Sequence, residues 1–126
     1  MQFIKDKNDK ILQLTLTVRR FINGSPQEAE TKTTVNFLIN SWAKVGIKVN
    51  IKYLDNTDFM NALDSKNYQM VLAGQALGYN LDTFSYWHSS QAKNGGQNLS
   101  NYRSLTADSL IERIRATLNN TDKTQK

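Results

Sequence analysis

Between Ile11 and Ala73 the spacing of apolar residues switches repeatedly from two to that of a helix and back, and this alternation constrains the fold most. Ile11 to Val18 reads I-L-Q-L-T-L-T-V, with Leu12, Leu14, Leu16 and Val18 on one face of a strand. The turn Asn23-Gly24-Ser25-Pro26 follows, and the period lengthens: Val35, Leu38, Ile39, Trp42 and Val45 fall on one helical stripe that stops at Gly46. Ser25 as N-cap, Pro26 at the first helical position and Glu28 closing a capping box give that helix a defined start. Ile47 to Leu54 returns to period two, setting Ile47, Val49, Ile51 and Tyr53 against lysines and Asn50. Asn56 or Thr57 then caps a short helix holding Phe59, Met60 and Leu63. Tyr68 to Ala73 is a third strand, so uniformly apolar that it points to a central place in a sheet. The succession β-α-β-α-β calls for parallel pairing through right-handed crossovers, with strand order 2-1-3 and helices on both faces.

Beyond the third strand, Thr83 to Trp87 forms one helical turn, Lys93 to Asn98 a glycine-containing loop, and Thr106 to Leu118 a last helix. The apolar positions Leu110, Ile111, Ile114 and Leu118 mark the buried face of that helix. A chain of 126 residues is one domain by length and buries roughly two thirds of its unfolded surface.

The segment after the third strand, Gly74 to Gln91, reads GQALGYNLDTFSYWHSSQ. In parallel α/β architectures ligands collect at the carboxyl ends of strands, where loops of varied composition face a common crevice. Aromatic residues, an acid, the single histidine and paired serines all fall in this loop. Gly74, Gly78, Asp82 and Phe84 lead into Trp87-His88-Ser89-Ser90-Gln91, then Gly95, Gly96, Asn98, Ser100 and Tyr102. Asp108, Leu110, Ile111, Glu112 and Arg115 follow in register, and Leu12 to Val18 and Ala43 to Val49 precede them. This ordered set resembles the extracellular solute-binding proteins that deliver oligopeptides, dipeptides and nickel to ABC importers. The similarity covers roughly residues 10 to 126.

The resemblance implies an α/β lobe of three layers around a mainly parallel sheet, like that of type II periplasmic-binding proteins. It also implies a ligand-binding role without catalysis, and a peptide or peptide-like solute. An ABC permease is the implied partner of the full-length protein. Such receptors are much longer chains folded into two lobes around a cleft, so 126 residues amount to part of one lobe. Met1 to Lys10 is charged and has no apolar core, so no signal peptide is read there. An extracytoplasmic location, in the periplasm or as a cell-surface lipoprotein, is expected of the full-length protein, which meets the membrane only through an N-terminal anchor absent from these residues. The loop positions Gln75, Ala76, Leu77, Gly78, Tyr79, Asn80, Asp82 and Trp87 are the expected ligand-binding residues. Two depart from the family's pattern: Gln75 stands where a tryptophan is usual, and Gly78 where the aspartate that grips a peptide's amino terminus falls. Asp82 either substitutes for that aspartate or caps the turn at Thr83 to Trp87. The competing class is a stand-alone small α/β domain with an enzymatic or protein-interaction role.

Composition narrows the other classes. The net charge of +5 and isoelectric point near 9.5 invite a nucleic-acid reading, but the charges are dispersed. Lys5, Lys7 and Lys10 alternate with Asp6 and Asp9, and Arg113 and Arg115 share a helix with Asp108 and Glu112. There is no basic stripe interleaved with aromatics, so nucleic acid is not an expected partner. With no cysteine and one histidine, a thiol nucleophile is excluded and a metal site is not expected. Gly74 and Gly78 lack the further glycine and Lys-Ser/Thr of a phosphate loop, and no cofactor is implied. His88 beside Ser89 and Ser90 is read as a helix-end hydrogen-bonding group, because sequence neighbours seldom reach the geometry of a nucleophile and its base.

Overall fold

The computed structural model describes residues 2–76 and 82–124, with side chains through residue 117. The chain divides into two compact units, Met1–Ala62 with Asn67–Gly74, and Leu63–Lys66 with Gln75–Lys126.

The first unit is built on three parallel strands, β1 (Gln13–Arg19), β2 (Lys48–Leu54) and β3 (Met70–Leu72), in the order β2-β1-β3. Leu16 pairs with Ile51 on one side and Met70 on the other, and Val18 with Tyr53 and Leu72. Residues opposed in this register share a face, so the alternation in each strand adds up to one continuous apolar surface. Helix α1 (Pro26–Lys44) covers it: Val35 is buried with Leu16, Val18 and Val49, and Leu38, Ile39, Trp42, Ile47, Ile51, Met70 and Leu72 pack around them. The connection β1-α1-β2 leaves the central strand toward one edge, and β2-α2-β3 passes back to the other edge. With both crossovers right-handed, as the rule for such connections has it, α1 and α2 (Asn56–Ser65) are expected on opposite faces. Burial of Thr17 on the face opposite Val18, and of Phe59 and Ala62 in α2, agrees with that.

Local chemistry fixes the element ends. The Ser25 hydroxyl accepts the Glu28 amide at 3.2 Å as N-cap of α1. The expected capping box is altered, because the Ser25 amide already donates to Ile22 O at 3.0 Å. The Glu28 carboxylate reaches one residue further and accepts the Gly24 amide at 2.6 Å. The helix ends at Gly46, whose φ of +83° suits glycine and whose amide donates to Ala43 O at 3.0 Å. Val45, expected on the apolar stripe, is the C-cap and is exposed, since the helix stops before its face turns inward. At α2 the cap is Asp55, not Asn56 or Thr57: its carboxylate accepts the Asp58 amide at 2.9 Å. In the described sheet β1 is central, and the apolar run at Tyr68–Ala73 contributes a three-residue edge strand.

The second unit contains α3 (Phe84–Trp87), a 3-10 turn at Ser89–Gln91 and α4 (Leu105–Thr124). Ala92, Asn98 and Ile111 are buried in it. The expected inner face of the last helix is narrower than its sequence pattern, with Leu110 and Ile114 each about half exposed beside the buried Ile111. Gly96 allows the chain to double back, since a Cβ there would lie 2.1 Å from Gln91 O.

Candidate functional site

Leu77, Gly78, Tyr79 and Asn80, four of the expected ligand-binding positions, lie outside the described residues. The remaining four are held as follows. The exposed Gln75 donates its side-chain amide to Gln97 O at 3.1 Å, and Ala76 O accepts the Tyr86 hydroxyl at 2.6 Å. Asp82 is doubly engaged: one carboxylate oxygen accepts the Phe84 amide at 3.0 Å, and the other meets Arg115 Nε at 3.2 Å. The Arg115 guanidinium also lies over the Phe84 ring, 4.3 Å from its centroid. The bond from the Phe84 amide is one that the capping reading of Asp82 expects. Trp87 is 49% exposed and meets Tyr102 edge to face at 6.2 Å, so about half of the residue is open to solvent.

The tryptophan-histidine-serine segment is tied to the start of α4 by a polar cluster. Ser104 caps that helix, its hydroxyl accepting the Ala107 amide at 3.3 Å, while its own amide donates to Ser89 Oγ at 3.2 Å. Asp108 accepts the Ser89 amide at 2.8 Å. That backbone bond, then the Ser89 hydroxyl and the nearby His88, hold its carboxyl below the usual range. His88 stacks on Phe84 at 4.3 Å and caps the 3-10 turn, its Nδ1 accepting the Ser90 amide at 3.2 Å.

Sequence adjacency argued against contact between His88 and a serine, and the structure corrects this. Because the turn folds back on its own cap, Ser90 Oγ lies 2.9 Å from Nδ1, and Glu112 Oε1 lies 3.3 Å from Nε2. Nδ1 is shared between the Ser90 hydroxyl and the Ser90 amide, and its bond to the amide is that of a cap. Asn98, fully buried, closes the cluster: its amide donates to Tyr102 O at 2.8 Å and His88 O at 3.3 Å, and its oxygen accepts from Ser100 Oγ and the Tyr102 amide. Among the described residues no group of three His, Cys, Asp or Glu side chains can hold a metal ion. No described helix is long and apolar enough to cross a membrane.

A concavity that the sequence did not disclose lies in the first unit. It has a volume of about 240 Å³ and is bounded by Arg19, Arg20, Phe21, Asn23, Glu28, Thr31, Lys32 and Tyr53. These residues come from the carboxyl end of β1, the carboxyl end of β2 and the first turns of α1. The signal available in the sequence was the run Arg19-Arg20-Phe21 directly after a strand, which dispersed charge elsewhere made easy to read as solvated surface.

No protein-family model and no curated protein matches this chain. Among solved structures it is similar to the oligopeptide-binding protein AppA from Bacillus subtilis in complex with a nonapeptide. The TM-score is 0.68 at 23% identity, covering 86% of this chain and 20% of that one. It is also similar to the ABC transporter-associated periplasmic binding protein DppA from Helicobacter pylori in complex with the peptide STSA. Here the TM-score is 0.66 at 20% identity, covering 81% of this chain and 19% of that one. The chain spans about a fifth of the length of these two proteins. At such identities the likeness is one of fold, and the fold of this chain is that of a periplasmic-binding-protein-like α/β lobe.

Proposed function

We propose that this chain is part of one lobe of an extracytoplasmic solute-binding receptor for peptides or peptide-like solutes, serving an ABC importer and carrying out no catalysis. The observation that carries the reading is the parallel β2-β1-β3 sheet with its helices, superposing over 86% of the chain on a peptide-bound protein. The loop from Gln75 to Trp87, Leu77, Gly78, Tyr79 and Asn80 included, is the ligand-facing segment of this reading, with the half-exposed Trp87 as its aromatic contact. Asp82 anchors that loop and does not grip the ligand's amine, because its carboxylate is already committed to Phe84 and Arg115. The permease and a membrane anchor belong to the full-length receptor.

Two-lobed receptors enclose roughly 70–90% of a small ligand, and one lobe supplies about half of that wall. Half the contacts are lost while most of the association entropy cost remains. The 126-residue chain is therefore expected to bind tri- and tetrapeptides with Kd near 1 mM, about −4 kcal/mol. Chemical-shift titration of the Trp87 indole checks this. Saturable micromolar binding would refute the two-lobe account, and no peptide-dependent shift at 10 mM would refute peptide binding by this lobe.

A further inference from the structure

We infer that the concavity at the carboxyl ends of β1 and β2 is an anion subsite that takes a carboxylate of the solute, clasped by Arg19 and Arg20. Its inventory of charge leads to this. Arg19, Arg20 and Lys32 bring three positive charges to the wall and Glu28 one negative charge. Glu28 is consumed internally: it meets Lys32 Nζ at 2.7 Å and accepts the Gly24 amide at 2.6 Å, and the Asn23 amide, assigned with its nitrogen toward the carboxylate, adds contacts of 3.2 and 3.3 Å. The Lys32 charge is thereby paired. The guanidinium of Arg19 lies over the Phe21 ring, 4.9 Å from its centroid, which fixes its plane and leaves its edge N–H groups for an acceptor. Arg20 is placed by its backbone, whose amide donates to Leu54 O at 2.7 Å and continues the β1–β2 ladder past the strand end. Arg19 and Arg20 therefore both border one hollow, and among the described residues no carboxylate is left to meet them.

Shape and chemistry agree on the ligand class. A volume near 240 Å³ lies below the roughly 300–1,000 Å³ of whole-ligand pockets, so the hollow takes one residue or one terminus of a longer solute. Phe21 and Tyr53 give it aromatic walls, which suit the carbon stem beneath a carboxylate, while the planar guanidinium fork matches the carboxylate itself. The Glu28 amide in the first turn of α1 is taken by Ser25 Oγ, and the Gly24 amide just before the helix by the Glu28 carboxylate, so neither is left for the anion. Only the identity of the solute rests on the peptide-receptor reading; the subsite stands on the cavity. A side-chain carboxylate and a terminal one present the same chemistry, so the test must separate them.

Three probes do so by chemical-shift titration of the 126-residue chain: acetyl-Ala-Glu-Ala-amide with a side-chain carboxylate, acetyl-Ala-Ala-Ala with a terminal one, and acetyl-Ala-Gln-Ala-amide with neither. Saturable shifts at Arg19, Arg20, Lys32 and Tyr53 are expected with one or both carboxylate peptides and at least fivefold weaker with the glutamine peptide. The responding peptide names the source of the carboxylate. The Arg19→Gln/Arg20→Gln variant should lose the response at least fivefold. Raising NaCl from 50 to 300 mM on the unmodified chain should weaken it severalfold, which keeps the test decisive if the variant misfolds. Equal shifts with all three peptides, or none at these residues, would overturn the subsite. Shifts confined to the Trp87 indole would leave peptide binding standing while removing the subsite. Shifts confined to the cavity would keep the subsite and remove the Trp87 loop as the peptide contact.

Discussion

Asn98 is where a single substitution should cost this chain the most per atom removed. Its side chain is 0% exposed and makes four hydrogen bonds. Two are short enough to dominate, the donation to Tyr102 O at 2.8 Å and the acceptance from Ser100 Oγ at 3.0 Å; the two at 3.3 Å are weaker. With about 1 kcal/mol net per bond and about 1–3 kcal/mol for each buried group left unpaired, Asn98→Ala should lose about 2–4 kcal/mol. In urea unfolding followed by far-ultraviolet circular dichroism, a slope of about 2 kcal/mol/M, the middle of the usual range, turns that into a midpoint about 1–2 M lower. Asn98→Asp is the sharper probe, since it keeps the shape but aims a carboxylate at two carbonyls. It should be worse than alanine at pH 7. Burial raises that carboxyl in the folded state, so the extra deficit is least below the unfolded value near 3.9 and grows as pH rises through the raised folded value. An Asn98→Ala unfolding free energy within about 0.5 kcal/mol of wild type, or an aspartate variant more stable at pH 7 than at pH 4 relative to alanine, would refute the reasoning.

Two other perturbations follow from local geometry. Gly46→Ala should cost about 2–3 kcal/mol, because its φ is +83° and a Cβ would sit 2.9 Å from Ile4 Cγ1 and 3.0 Å from Gln2 O; Gly24→Ala, at +78° with open space around it, should cost about 1 kcal/mol. Thermal melts of both variants check the order, and a Gly24 variant melting lower than the Gly46 variant would sink it. Glu28 has its carboxyl lowered below 4.5, first by Lys32 and then by the Gly24 amide. Its contribution is therefore complete above that pH and lost as pH falls through the lowered folded value. Carbon-detected titration should show its midpoint below an ordinary glutamate's, and Lys32→Met should move it back up.

The sequence made the parallel sheet and α1 readable because each carried redundant signals. Period-two runs, the Ser25-Pro26 start and the Gly46 stop all agree with the packing of Val35 and Trp42. It misled where one pattern serves two outcomes. The apolar run at Tyr68–Ala73 suits a central strand as well as a three-residue edge strand. Leu110 and Ile114 have helical spacing, yet the inward direction of α4 is set by Ile111. Asp55, Asn56 and Thr57 are three competent caps in a row, and only the backbone decides that Asp55 does it. For the candidate site, Asp82 pairs with Arg115 on α4, a partner distant in sequence that no local motif announces. The Arg19-Arg20-Phe21 wall was hidden for the same reason, since its partners Lys32 and Tyr53 arrive only through the β1-α1-β2 crossover.

The two edges of the sheet treat solvent differently. β2 runs along its border with Lys48 and Lys52, charges that a strand from another molecule would have to desolvate before pairing. β3 offers Met70, Val71 and Leu72, and among the described residues nothing pairs with its far side. Its protection is brevity: three residues provide too few backbone partners to hold a foreign strand for long. Gln69 reinforces this, its side-chain oxygen accepting the Thr15 amide at 2.8 Å where a longer β3 would have placed a carbonyl. The ladder is thus finished by a side chain, and the edge most open to aggregation is also the one kept too short to template it.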